Sequence, residues 1–83
     1  MEIYYTDKAS KDLESLPREI QKRIASKMRF YAGQKDPMKF AKRLINPIEG
    51  EFRFRVGDYR IFFDVIKNRI YVLSISRRDK AYD

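Results

Sequence analysis

From Gly50 onwards the apolar residues of this chain recur at every second position. Phe52, Phe54 and Val56 alternate with Glu51, Arg53 and Arg55. After Gly57-Asp58, the residues Tyr59, Ile61, Phe63 and Val65 alternate with Arg60, Phe62 and Asp64. Side chains along a strand point to opposite faces with period two, so the pattern describes strands with one face on a core. Gly57 at the first central position of a two-residue loop predicts a type II′ hairpin turn. A second hairpin across Lys67-Asn68 leads to a strand over residues 69–76, which completes a three-stranded antiparallel meander.

The first half of the chain has a different period. Glu2-Ile3-Tyr4-Tyr5 is a short run of β-forming residues and predicts a first strand. Thr6 or Asp7 can cap the helix that follows, in which Ala9, Leu13 and Leu16 recur at helical spacing. Pro17 fits a first helical turn better than a helix interior, so it ends one helix and opens the next. Ile20, Ile24, Met28 and Tyr31 then form one apolar stripe, with Arg18, Lys22, Arg23, Lys27 and Arg29 on the other faces as a solvated surface. Gly33 suits the helix C-terminus. Asp36-Pro37 predicts the start of a short third helix holding Phe40, Ala41 and Leu44. The expectation is a single α+β domain over residues 1–83, ordered β-α-α-β-β-β, with a helical hairpin packed on one face of a small, mainly antiparallel sheet.

Composition narrows the chemistry. The 83 residues contain no cysteine and no histidine. This removes disulfides, thiolate nucleophiles, Cys/His zinc sites and histidine acid–base catalysis. No apolar run approaches the roughly 20 residues of a membrane span, so a soluble cytoplasmic protein with no membrane partner is expected. The net charge is +7, from 19 basic and 12 acidic residues. Such a balance favours polyanionic partners, nucleic acid or an acidic protein, although it can also serve solubility alone.

The alternation places the arginines. If Phe52, Phe54 and Val56 face the helices, Arg53 and Arg55 face the other way. A two-residue turn at Gly57-Asp58 pairs Val56 with Tyr59, Arg55 with Arg60, Arg53 with Phe62 and Glu51 with Asp64. Like charges directly opposed across strands are destabilising, by up to about 1 kcal/mol. Folding alone gives no reason for the Arg55–Arg60 pair, and an anion on that face would remove the penalty. The last strand runs into a further basic cluster with one aromatic, Arg77, Arg78, Lys80 and Tyr82. Guanidinium forks suit phosphates and a tyrosine ring can stack on a base, so Arg77 and Lys80 are expected to contact a nucleic-acid backbone. The alternative is that Arg53 and Arg55 are solvated strand positions and that the terminal cluster is a basic tail.

These segments resemble the RelE/ParE superfamily of toxins from toxin–antitoxin pairs, over nearly the whole chain. The resemblance lies in the helical hairpin with Leu16-Pro17, in Leu44 through Gly50, in Phe52-Arg53-Phe54-Arg55-Val56-Gly57-Asp58-Tyr59-Arg60-Ile61, and in the ending Ile75-Ser76-Arg77-Arg78-Asp79-Lys80-Ala81-Tyr82. It implies a sheet curved against two helices, with the active groove on its other face. RelE-type members are ribosome-dependent endoribonucleases that cut messenger RNA in the ribosomal A site. In that chemistry a ribose 2′-hydroxyl attacks the neighbouring phosphate, giving a 2′,3′-cyclic phosphate and a free 5′-hydroxyl.

By position, the resemblance implies that Arg53 and Arg55 contact and activate the scissile region, and that Arg60 holds the phosphate. Arg78 matches the arginine that stabilises the transition state and protonates the leaving group. Tyr82 matches the tyrosine that stacks on a base. Where family members carry lysine at the first two strand positions, this chain has arginine, which leaves Glu49 or Glu51 as the carboxylates near the strand that could accept a proton. The resemblance further implies a small cognate antitoxin as partner, besides the ribosome and messenger RNA, and no metal or small-molecule cofactor. Two other outcomes belong to the same fold: a ParE-like inhibitor of DNA gyrase, or an inactive module that binds RNA or protein.

Overall fold

The computed structural model describes residues 1–45 and 50–77. Strand β1 (Glu2–Tyr5) leads to helices α1 (Asp7–Glu14) and α2 (Arg18–Ala32), and a single 3₁₀ turn follows over Pro37–Phe40. The remaining strands are β2 (Lys42–Arg43), β3 (Phe52–Val56), β4 (Tyr59–Ile66) and β5 (Arg69–Arg77). They form one five-stranded sheet in the order β1-β5-β4-β3-β2. β1 runs parallel to β5, and every other pair is antiparallel. The two helices cover one face, which gives the expected α+β architecture.

Local chemistry sets the element boundaries. Thr6 caps α1, its hydroxyl accepting the Ala9 N–H at 3.1 Å. Pro17 stands immediately before α2, where its missing N–H costs nothing. Both hairpin turns form as the sequence predicts. Gly57 is left-handed at φ +59°, while Lys67 and Asn68 are both left-handed at φ +49° and +63°, the type I′ pattern.

The expected third helix is corrected. Asp36 accepts the Met38 N–H at 3.3 Å and Pro37 opens a turn, but the turn ends at Phe40. Ala41 is extended, and Lys42 and Arg43 pair with Arg53 and Phe52 as a fifth strand. The Leu44 N–H continues that ladder by donating to the Glu51 carbonyl at 2.9 Å. The outer edge of β3 carries backbone groups that need partners, and this segment supplies them.

The core lies between the helices and the sheet. Ala9, Ile24 and Met28 meet Phe54, Ile61, Phe63, Ile70 and Val72, all at 0% exposure. Inside it, Tyr31 stacks on Phe54 at 4.4 Å and Phe54 stacks on Phe63 at 4.3 Å, a ring column from α2 to β4. Full burial of such a side chain contributes roughly 1.5–3 kcal/mol. The apolar phase of β5 slips by one, from Ile70 and Val72 to Ile75. A β-bulge absorbs the slip: Phe62 pairs with Ser74 while Phe63 pairs with Val72, leaving Leu73 as the extra residue. This keeps Ile75 in the core and turns Ser74 and Ser76 to the other face.

Candidate nucleic-acid interface

The face of the sheet opposite the helices is organised in cross-strand rows. Nearest the β3–β4 turn lie Arg55, Arg60 and Ser76; next come Lys42, Arg53, Phe62 and Ser74. Farther along are Asp64, Tyr71 and Tyr4, and last Ile66, Arg69 and Glu2. The Arg55–Arg60 and Arg53–Phe62 pairs are those the alternation predicts. Glu51 lies before the strand, and its backbone N–H donates to the Asp64 carboxylate at 2.8 Å.

Charge is divided along this face. The two rows near the turn hold Lys42, Arg53, Arg55 and Arg60, whereas Asp64 and Glu2 stand toward the far end. Among the described residues the ion pairs are Lys8–Asp12 and Arg43–Glu51, so Arg55 has no carboxylate partner there. An anion approaching the face is drawn to its turn end.

The reading of Arg53 as a solvated strand position does not hold. Arg53 is 8% exposed and Arg60 6%, with Phe62 at 7% and Ser74 at 1% beside them, while Arg55 is exposed. Arg53, Arg60 and Ser74 each make a further contact within the chain. A buried guanidinium needs such contacts, because losing its hydration costs several kcal/mol. Side chains held in this way are oriented before any ligand arrives.

At the far end Tyr4 and Tyr71 stack at 5.4 Å, and the Arg69 guanidinium lies 5.5 Å from the Tyr4 ring. The Tyr4 hydroxyl donates to Glu2 at 2.6 Å, and this bond to a carboxylate raises the phenol above its ordinary pKa. The aromatic pair is thus engaged within the chain.

The remaining residues singled out in the sequence are placed as follows. Arg77 pairs with Tyr59, so it belongs to the helix-side row and is not brought into the Arg55–Arg60 row. Arg78, Lys80, Tyr82 and Glu49 lie outside the described residues. The Glu51 carboxylate lies 3.7 Å from Arg43 at the sheet edge. Four residues of strand, about 13 Å, separate it from Arg55. Two cations join the region unforeseen. Lys42 enters through the unexpected β2. Arg23, assigned from sequence to a solvated helix face, lays its guanidinium against Gly57. Its position beside Ile20 and Ile24, at the border of the apolar stripe, was the available signal.

Among the described residues no helix is long and apolar enough to cross a membrane, and no group of three acidic residues could hold a metal ion.

Comparison with known proteins adds three findings. The family model for the ParE toxin of the type II toxin–antitoxin system parDE matches residues 3–82. The curated protein Toxin RelE of Mycobacterium tuberculosis H37Rv is 33% identical over 84 residues, covering 96% of this chain and 84% of that protein. Two solved structures share the fold. The toxin–antitoxin complex RelBE2 of M. tuberculosis superposes with a TM-score of 0.75 at 24% identity, over 93% of this chain and 96% of that one. The archaeal RelE–RelB complex of Pyrococcus horikoshii OT3 gives 0.73 at 25% identity, over 96% and 97%.

Proposed function

Because the chain belongs to the RelE/ParE superfamily of toxins of type II toxin–antitoxin systems, we propose that it is a ribosome-dependent endoribonuclease that cleaves messenger RNA in the A site and so inhibits translation. The observation that carries this reading is the pairing of exposed Arg55 with buried Arg60 on the face of the sheet away from the helices, in a row that also holds Ser76. Two guanidinium forks side by side, one held in place and one open to solvent, suit the oxygens of a phosphodiester.

On this reading the 2′-hydroxyl of one ribose attacks the adjacent phosphorus. The bond to the 5′-oxygen breaks, and a 2′,3′-cyclic phosphate and a 5′-hydroxyl result. Arg60, fixed by burial, holds the non-bridging oxygens. Arg55 approaches from the solvent side, with Arg53 behind it, and together they neutralise the charge that builds on the phosphorane. Arg78 protonates the leaving 5′-oxygen and regains its proton from solvent, Tyr82 stacks on a base, and Arg77 and Lys80 bind flanking RNA. Guanidiniums stay protonated, so none of them takes the 2′ proton. Glu51 faces Arg43 about 13 Å from Arg55 along the strand. The reading assigns the acceptor to the ribosome's own groups, which accounts for the dependence. The cognate antitoxin is a small protein with acidic segments that match the +7 charge.

Primer extension on messenger RNA translated in vitro, with naked RNA as control, tests the reading. Cuts within codons that need ribosomes are expected, and cuts on naked RNA would remove the ribosome requirement. The matching family model is that of ParE toxins, which favours inhibition of DNA gyrase as the second reading. Absence of cuts together with loss of gyrase supercoiling would establish it in place of the first.

A further inference from the structure

The β3–β4 turn carries a contact that the arginine rows do not require. The Cζ, Nη1 and Nη2 atoms of Arg23, on α2, each stand 3.3 Å from the point a Cβ on Gly57 would occupy. Three coplanar atoms at one distance place the guanidinium flat over the turn. Gly57 is left-handed at φ +59°, a conformation that favours glycine, and glycine also leaves this seat open. A guanidinium carries five N–H donors in a fixed fork. Among the described residues no carboxylate pairs with Arg23, although Asp58 is next to the seat. Arg55 lies two residues before Gly57, its Cα at most about 7 Å away. Arg23 and Arg55 are both exposed.

From this geometry we propose that Arg23, held on the Gly57 turn, acts as a phosphate clamp at the hairpin tip. The clamp grips the backbone of single-stranded RNA next to the phosphate held by Arg60, and this placement rests on the RNA-cleaving reading above. The turn acts as a shelf for Arg23, so little side-chain freedom is lost when the phosphate binds. A planar fork addressing phosphate oxygens also explains arginine rather than lysine at this position.

The test is fluorescence anisotropy of a short labelled single-stranded RNA across a salt series, with primer extension run in parallel on the same proteins. R23A is expected to weaken binding about tenfold at low salt, and to reduce the slope of log affinity against log salt by about 0.7. R23K should recover part of the affinity. K67Q, which removes a charge at the opposite end of β4, should leave the slope unchanged.

Unchanged affinity and slope in R23A, with wild-type cleavage intact, would overturn the clamp and leave the nuclease reading standing. This is also the result if Arg23 serves an acidic protein partner instead. Arg23-dependent RNA binding by a wild-type protein that cuts no messenger RNA would uphold the clamp and sink the cleavage reading. A wild-type protein that binds no free RNA would end the clamp, and cuts on translated messenger RNA would still uphold the nuclease reading.

Discussion

The hydroxyl of Tyr31 donates to the main-chain oxygen of Arg55 across 3.2 Å. β2 pairs with Phe52 and Arg53, and beyond them no strand among the described residues flanks β3 on that side. Helix α2 supplies a donor there through Tyr31, whose ring also stacks on Phe54. One side chain thus ties the helix layer to the strand that carries the exposed arginine.

Replacing Tyr31 by phenylalanine keeps the stack and deletes the hydrogen bond. The expected cost is about 1 kcal/mol, which for a domain of this size lowers the melting temperature by about 4–8 °C. Thermal denaturation followed by circular dichroism checks it, and an unchanged melting temperature would show that the bond contributes nothing.

Burial raises the phenols of Tyr5 and Tyr31 above the ordinary value of 10.0. The folded state therefore favours their neutral forms. Their contribution to stability is fully present below pH 10, the unfolded value, and is lost as the pH climbs from there through the raised folded values. Denaturant melts between pH 8 and 11 should fall off at the alkaline end, less steeply in the Tyr5→Phe and Tyr31→Phe double variant.

Asp12 accepts the Ile75 N–H at 3.0 Å, on the part of β5 that extends beyond β1. Asp12→Ala removes the acceptor from a partly buried donor and should cost about 1–3 kcal/mol. Asp12→Asn retains an oxygen, loses only the exposed pair with Lys8, and should cost less than 1 kcal/mol. Equal losses in urea titrations of the two variants would mean that the Ile75 contact is immaterial.

Arg60→Lys keeps the positive charge and deletes the planar fork. In the ribosome-dependent assay, cleavage is expected to fall about 10²–10³-fold, the loss typical of one preorganised donor. Circular dichroism establishes that the variant is folded, and wild-type cleavage by a folded R60K protein would remove Arg60 from the site.

Much of the fold was legible along the chain because it depends on neighbours. The strands announce themselves in Phe52, Phe54 and Val56, the turns in Gly57-Asp58 and Lys67-Asn68, and the helical hairpin in Ile20, Ile24, Met28 and Tyr31. The slip of phase in β5, from Ile70 and Val72 to Ile75, was not among the sequence expectations, because the bulge that absorbs it belongs to the pairing with β4. The segment after Phe40 was not legible, since Lys42 and Arg43 carry no strand pattern of their own. They become a strand because β3 has an edge to satisfy.

The same division runs through the candidate site. That Arg53, Arg55 and Arg60 share a face, and that Arg55 meets Arg60, follows from the order of residues alone, because alternation and a two-residue turn are local geometry. The burial of Arg53 and Arg60 beside an exposed Arg55, the place of Arg77 on the other side and the seat of Arg23 on Gly57 come from packing. Each of these depends on which distant segment packs where. Burial and cross-layer contact are set by the close packing of the whole core, which no run of neighbouring residues encodes.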